Sequence, residues 1–410
     1  MSSTGLFYSI IAIITLQFVV ASILDYLNAK KFNDPIPEEL RDVFDPEEYK
    51  KSQAYKSVNY KFGRLTSGFS FVLTLAFLIF GGFAWVDTMA RSITDSTILI
   101  GLIFFGLIFF GSDVLNTPLA YYQTFVIEER FGFNKTTRKL FFIDKLKSWF
   151  MTLLVGGGLL AVILWFFQWA GTHFWIYAWL LVALFSVLMN LFYSKIIVPM
   201  FNKQTPLEEG TLKDRITTFA QQVGFELKNI FVIDGSKRST KANAYFSGFG
   251  REKRITLYDT LINDLEEEEI VAVLAHEVGH YKRRHIIFNV LASLVLMGFT
   301  FFILSLFINH PEMSLAIGVS EPSFHAALIA FGILYSPISE ITGLIMNYFS
   351  RKFEYQADNF AKQTYGSEPL IASLKKLSKN SLSNLTPHPA YVFAHYSHPP
   401  LSARIRNLKA

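Results

Sequence analysis

Seven stretches of this chain stay apolar for about twenty residues each, and that limits its possible folds more than anything else in it. The hydrocarbon core of a bilayer is about 30 Å thick, which a helix rising about 1.5 Å per residue crosses in roughly 20 residues. The stretches are 5–26, 69–85, 97–120, 150–170, 174–198, 286–308 and 326–349. Lipid offers no hydrogen bonds to exposed backbone, so each is predicted to be a helix. Only a few residues part the fourth from the fifth, which predicts an antiparallel hairpin. The first has no basic region before it and no small-residue cleavage pattern after it, so it is predicted to be a permanent helix rather than a signal peptide. Length alone, 410 residues, would suggest two or three soluble domains. The charged fraction of 17% argues otherwise, because soluble domains carry about 25%.

The charges also give a direction. With the N-terminus outside, segments 28–68, 121–149, 199–285 and 350–410 face the cytosol, and they or their membrane edges hold nearly every Lys and Arg. Arg91 alone falls on the other side. That asymmetry predicts seven spans with the C-terminus in the cytosol. It also accounts for the net charge of +5 without a nucleic-acid partner, for which no motif is present. The chain has no cysteine, which excludes disulfides, thiolate metal sites, cysteine nucleophiles and lipidation through Cys.

Four parts follow: membrane helices with their loops in 1–198, a cytosolic segment 199–285, two further spans in 286–349, and a mainly helical cytosolic end, 350–410, with a Pro/His-rich loop at 386–400. In the second part KNIFVIDG and RITLYDTL read as short strands flanking the polar stretch SKRSTKANAYFSGFG, and 265–285 reads as one helix. Its acidic start and basic end suit the helix dipole. Asp113, Asn116, Asn190, Glu340 and Asn347 lie in or beside apolar helices, where such groups face a bundle interior or water. Gly81 with Gly82, and Gly156, Gly157 and Gly158, are expected at close helix contacts.

The chemistry is concentrated in LAHEVGHYKRRH. His276 and His280 are four apart, so on a helix their imidazoles leave one face and can meet one zinc ion. Glu277 stands beside them, suited to take the proton from a water as it attacks a carbonyl. This is the H-E-x-x-H pattern of zinc peptidases. The longer pattern with a third His is absent, since Arg283 stands where its Gly would be. On one continuous helix His285 lies about 500° past His280 at roughly 100° per residue, which makes it a bystander. A third ligand is then expected on another helix. SRKFEYQADNFAKQ offers Glu354, with Asp358 one turn on as a carboxylate that could orient a ligand imidazole. Surface pairing of these two with Arg351 and Lys362 fits the spacing equally well.

HEVGH, then SRKFEYQADNFA after two hydrophobic spans, then YSHPPLSARI, resembles the type I CAAX prenyl endopeptidases. The likeness continues upstream through LNTPLAYYQTFVIEERFGFNKTT, VPMFNKQTPLEEGTLK and FVIDGSKRSTKANAYFSGF. It implies an all-α integral membrane protein whose seven transmembrane helices enclose a water-filled chamber, with a gluzincin-like zinc metalloprotease domain containing a small β element. It implies Glu354 as third ligand of a single Zn2+, Asp358 as the carboxylate behind the ligands that orients an imidazole, and Asn243, His398 and Arg404 along the cleft, bonding the peptide and its oxyanion. The implied substrates are the C-terminal tripeptides of prenylated proteins, with some non-prenylated peptides. A membrane quality-control protease and a transporter or scaffold with a non-catalytic zinc site are the competing functions. NLKA is no retrieval signal, so a bacterial inner membrane is expected, or the endoplasmic reticulum in a eukaryote, with the site facing the cytosol.

Overall fold

The computed structural model describes residues 2–225, 227, 229–247 and 254–410. Helix α1 (Ser3–Lys30) starts at Ser2, whose hydroxyl accepts from the Gly5 N–H. Helix α2 (Pro46–Ile79) opens on a capping box, with Asp45 and Glu48 satisfying each other's backbone donors and Pro46 in the first turn. It ends at Ile79, because Gly81 takes φ +72° and turns the chain into α3 (Gly82–Ile93). The predicted span 69–85 therefore straddles a break, and the apolar second half of α2 makes the crossing. At Gly82 a Cβ would lie 2.5 Å from the Phe77 ring, so glycine is what lets the two arms close.

Helix α4 (Thr97–Tyr122) runs on into a π-helical turn, Gln123–Glu128. Helix α5 (Arg138–Met151) passes through a second π turn, Thr152–Gly157, into α6 (Gly158–Ala170). At Gly171, φ +53°, the chain reverses into α7 (Phe174–Phe201), which packs back along α6. Among the described residues six continuous helical stretches are long and apolar enough to cross a membrane. One of them, Arg138–Phe201, is 64 residues long, and its two arms form the predicted hairpin. Gly156, Gly157 and Gly158 do not sit at a close crossing: among the described residues nothing from another helix lies within 4 Å of where their Cβ atoms would be. They belong to the π turn and the start of α6 instead.

Beyond α7 the chain builds a small four-stranded sheet and several helices. Strand β1 (Gln204–Pro206) is followed by α8 (Thr211–Gln222), β2 (Asn229–Ile233), β3 (Ala244–Ser247) and β4 (Arg254–Tyr258). The strand order is β1-β2-β4-β3; β2 and β4 are parallel, with Asn229 opposite Arg254, and the other pairs are antiparallel. The two predicted strands are β2 and β4, although the end of the second is helical as α9 (Asp259–Asp264). Strand β3 lies within the stretch expected to be a loop; Lys228 and the Gly248–Gly250 end of that stretch fall outside the described residues. The rest is helical: α10 (Glu267–Lys282), α11 (His285–Phe307), α12 (Pro311–Leu315), α13 (Phe324–Thr364), α14 (Ser367–Asn380), α15 (Pro389–His395) and α16 (Leu401–Lys409).

Neighbouring contacts run α1–α2–α3–α4–α6–α7–α11–α13 and back to α1, which closes a ring. Its interior is not packed. Buried hydrophobics form two clusters, one around α10 and the sheet, the other at the opposite end around Phe104, Phe174 and Ala327. Along α13 no residue between Phe331 and Glu354 is buried, and along α11 none between His285 and Leu304. On α13 that gap is about 35 Å at 1.5 Å per residue, close to the thickness of the hydrocarbon core. A solid bundle would bury a stripe on each helix; this ring is stoppered at both ends and hollow between. The intramembrane polar groups divide accordingly. Asp113 ties α4 to α5 through Lys145 (2.7 Å) and the Trp149 indole (2.7 Å), and Asn347 ties α13 to the Ala394 carbonyl of α15 (3.0 Å). Asn116 and Asn190 bond carbonyls of their own helices, and Glu340 stands exposed on α13.

The hollow can be tested in a chain with no native cysteine. At ~100° per residue Gly343 falls within ~20° of the direction of Glu354, and Ile341 roughly 140° away, toward lipid. Gly343→Cys should react with a charged aqueous thiol reagent in intact membranes, and Ile341→Cys should be protected. Equal protection of both would rule out water inside the ring.

Candidate metal centre and active site

Helix α10 carries the site's first half. It opens on a second capping box, in which the Glu266 N–H donates to Glu269 (2.8 Å), and Lys376 anchors Glu269 from α14 (2.8 Å). Ile270, Val271, Leu274, Ala275 and Val278 are buried, so the helix is locked into the core and His276 and His280 share its remaining face. Gly279 sets the distance to α13: a Cβ there would stand 3.0 Å from the Ala357 Cα and 3.1 Å from its carbonyl oxygen. Because the helices approach that closely, Glu354, less than one turn before Ala357, reaches both imidazoles.

The three candidate donors converge. His276 Nε2 lies 3.2 Å from His280 Nε2 and 3.4 Å from Glu354 Oε2, and His280 Nε2 lies 3.2 Å from Glu354 Oε1. Ligands of a tetrahedral ion with arms of 2.0–2.1 Å stand about 3.3 Å apart, so the separation of the two imidazole nitrogens, and of each from a Glu354 oxygen, suits such an ion. Glu354 Oε2 is buried and accepts no hydrogen bond among the described residues. Two imidazole lone pairs and an orphaned carboxylate oxygen facing one another in a buried site need a cation between them. The donor set fits a metal.

A second layer of contacts holds these donors. Asp358, one turn beyond Glu354 and fully buried, lies 2.9 Å from His276 Nδ1, so that nitrogen carries the proton and Nε2 is left to the metal. Arg404 reaches in from α16 and grips Asp358 with two donors, Nε to Oδ2 at 2.9 Å and Nη2 to Oδ1 at 2.6 Å. Its Nη1 is 3.5 Å from Glu354 Oε2. The surface pairs with Arg351 and Lys362 that spacing allowed are not what Glu354 and Asp358 make: Arg351 instead donates to the Tyr396 carbonyl at 2.6 Å.

Of the other expected residues, Glu277, Asn243, His398 and Arg404 all line the same cavity of about 530 Å3 as the three donors. His398 is mostly exposed, with Nε2 3.3 Å from Glu354 Oε1. Asn243 is exposed at the start of β3. Three features escaped the sequence reading. Strand β3 is an edge strand, and Ala244 and Tyr245 on it line the cavity. Gly279 was a visible signal, a glycine on the packed side of a helix. His285 is no ligand, as expected, but neither is it a bystander: its Nδ1 lies 3.1 Å from His280 Nδ1. The continuous-helix extrapolation failed because α10 stops at Lys282 and Arg284 takes φ +60°, so His285 begins α11.

Fold and site together define a metallopeptidase set into a ring of membrane helices. Residues 25–203 match a family model described as CAAX prenyl protease N-terminal, five membrane helices, and residues 206–410 match that of peptidase family M48. CAAX prenyl protease 1 of Saccharomyces cerevisiae is 36% identical over 422 residues, covering 96% of this chain and 92% of the relative. The CAAX prenyl protease 1 homolog of Arabidopsis thaliana is 34% identical over 97% of this chain and 96% of its own length. A crystal structure of S. mikatae Ste24p superimposes with a TM-score of 0.94 at 34% identity, covering 99% of each chain. The chain belongs to peptidase family M48 and is a multi-pass membrane metalloendopeptidase.

Metal uptake must displace a proton. Burial disfavours charge on His276, but Asp358 and Glu354 outweigh it and hold the metal-free imidazole up at about 9. The proton's contribution to the metal-free fold is complete below 6.5 and is lost as pH climbs through 9. Metal binding has the opposite dependence. Apparent affinity should rise about tenfold per pH unit from neutrality to 9 and level off above, measured against a chelator of known pH dependence. A flat profile would show that His276 is already neutral in the metal-free protein.

Proposed function

We propose that this protein hydrolyses peptide bonds near the C-termini of prenylated proteins, with one zinc ion held by His276, His280 and Glu354. The observation that carries the reading is the triangle of buried donors at the floor of a cavity large enough for several residues of peptide, at one end of a hollow membrane ring. Two imidazoles and a carboxylate suit zinc among the common divalent ions. Once bound, the ion supplies Lewis acidity, activating a water and polarising the scissile carbonyl. The substrate class comes from the relatives named CAAX prenyl protease 1.

The residues of the chain then divide the work. Glu277, next in sequence to His276, takes the proton from the attacking water and delivers it to the leaving amine. The free edge of β3 pairs with the substrate backbone as an added strand, which places the scissile bond beside Glu277. Asn243 and His398, both exposed to the cavity, donate to the oxyanion as it forms. Arg404 acts at one remove: with two donors committed to Asp358, it fixes the carboxylate that orients His276. The Lys and Arg distribution supports a cytosolic position for this end of the ring. That orientation is the same in the bacterial inner membrane and in the endoplasmic reticulum, because the positive-inside rule operates in both.

Glu277→Gln separates chemistry from assembly. Metal content should stay at one ion per chain while turnover of a peptide substrate falls roughly 10²- to 10⁴-fold, the usual weight of a general base. Unchanged turnover would remove Glu277 from that role. Substrate class is decided by a farnesylated CAAX peptide and its unprenylated twin. A higher kcat/KM for the farnesylated form supports the proposal, and equal values would leave a peptidase without prenyl specificity.

A further inference from the structure

His285 and Gln356 form a relay behind His280. Residues Arg283 and Arg284 break the chain between α10 and α11, and Arg284 is one of two non-glycine residues with positive φ among those described. An αL arginine costs of order 1 kcal/mol relative to its usual conformation, so the surrounding packing must hold it. Its effect is to bring His285 back under His280 and out of solvent. There His285 stacks on Phe353 with ring centres 4.1 Å apart and planes within 9°, and Phe288 closes edge-on against Phe353. The stack fixes the plane of the ring. One nitrogen meets His280 Nδ1 at 3.1 Å and the other meets Gln356 Oε1 at 2.8 Å.

Donors and acceptors in this line can be arranged in only one way that leaves His280 a ligand. Gln356 Oε1 can only accept, so His285 Nε2 carries the proton. Neutral His285 then offers a lone pair at Nδ1, which accepts from the Nδ1–H of His280. His280 is left with a bare Nε2, the atom that faces His276 and Glu354. With the Gln356 amide reversed, every bond would run the other way and a proton would occupy the nitrogen that the metal needs. We propose that His285 and Gln356 are positioning residues that fix the tautomer and orientation of His280 for the metal, as Asp358 and Arg404 do for His276. The two ligand imidazoles thus have different supports, one anionic and one neutral. Because α13 supplies Glu354, Gln356 and Asp358 within two turns, one helix carries a ligand and a support for each of the two histidines.

The inference rests on the metal-ligand reading of the site, and one set of measurements tests the two separately. Zinc affinity is measured by chelator competition on the full-length protein in detergent or nanodiscs, for wild type, His285→Phe, His285→Asn, Gln356→Met and Gln356→Glu. Loss of an outer partner of this kind weakens metal binding by roughly 10–100-fold. That loss is expected for His285→Phe, which keeps the stacking area but cannot accept, and a smaller one for Gln356→Met. His285→Asn, with an acceptor oxygen near the old Nδ1, and Gln356→Glu, with an acceptor at the old Oε1, should recover most of the wild-type affinity. At saturating zinc His285→Phe should regain turnover to within a few-fold, since the relay acts on occupancy. Wild-type affinity in His285→Phe, or no difference between the acceptor-keeping and acceptor-deleting partners of each pair, would overturn the inference. If His285→Phe does not fold, the Gln356 pair decides it alone. A wild-type protein that binds no zinc would instead overturn the metal reading itself.

Discussion

The grip of Arg404 on Asp358 is the contact on which the rest of the site depends. It joins the last helix of the chain to α13 and sits against His276 and Glu354, so four ionisable groups share one buried space. None of them could be kept there alone, because removing an uncompensated charge from water costs several kcal/mol even after the protein relaxes. Each makes the next tolerable: the guanidinium offsets the carboxylates, Asp358 orients the imidazole, and the imidazole faces Glu354. Breaking one member strands the others, so α16 is as much a part of this site as α10. The arrangement also leaves Glu354 Oε2 buried with no hydrogen bond among the described residues, a need that a cation satisfies.

The membrane half follows a different logic. In lipid, apolar residues gain nothing by leaving the solvent, so a ring of helices need not collapse onto its axis. This one is held open by cores at its two ends. At the far end Arg91 pairs with Asp87 and Glu321, and His325 of α13 hydrogen-bonds Asp87 while its ring lies against Phe104, which fastens α3 to the loop before α13 and both to α4. At the near end the sheet, α10, α14 and α16 form the stopper. Apolar contact is concentrated at these ends, and the middle of each helix presents one side to lipid and one to the hollow.

How much of this could be read in the sequence depended on the range of the interaction. Spans and hairpin are local properties, and they came through, apart from the break at Gly81 that shortens α2 inside a predicted span. His276, Glu277 and His280 lie within one turn of a single helix and were legible from spacing. Glu354 and Asp358 were not, because 74 residues and a transmembrane hairpin separate Glu354 from His280 and surface pairing fitted equally well. Resemblance to a family closed that gap where periodicity could not. His285 was misjudged for a definite reason: a helical wheel assumes an unbroken helix, and the left-handed turn at Arg284 is a tertiary effect that no propensity of arginine announces. Strand β3 was hidden among glycines and polar residues typical of loops, since a short edge strand needs few of the signals of a buried one.

Helix α13 joins these halves and explains why they occur in one chain. It runs 41 residues, about 60 Å, from Phe324 in the far core to Thr364 beyond the metal site. Both of its ends are anchored, Phe324 to Phe331 in one core and Glu354 to Ala361 in the other, and the hollow lies along the stretch between. The position of Glu354 along the helix axis is therefore set by the ring, while Gly279 and the Arg404 grip set its distance from α10. A freestanding soluble domain would have to fix that carboxylate by its own core alone. Here a membrane helix clamped at both ends supplies the rigidity, and a cleft opening onto the hollow costs the site none of its precision.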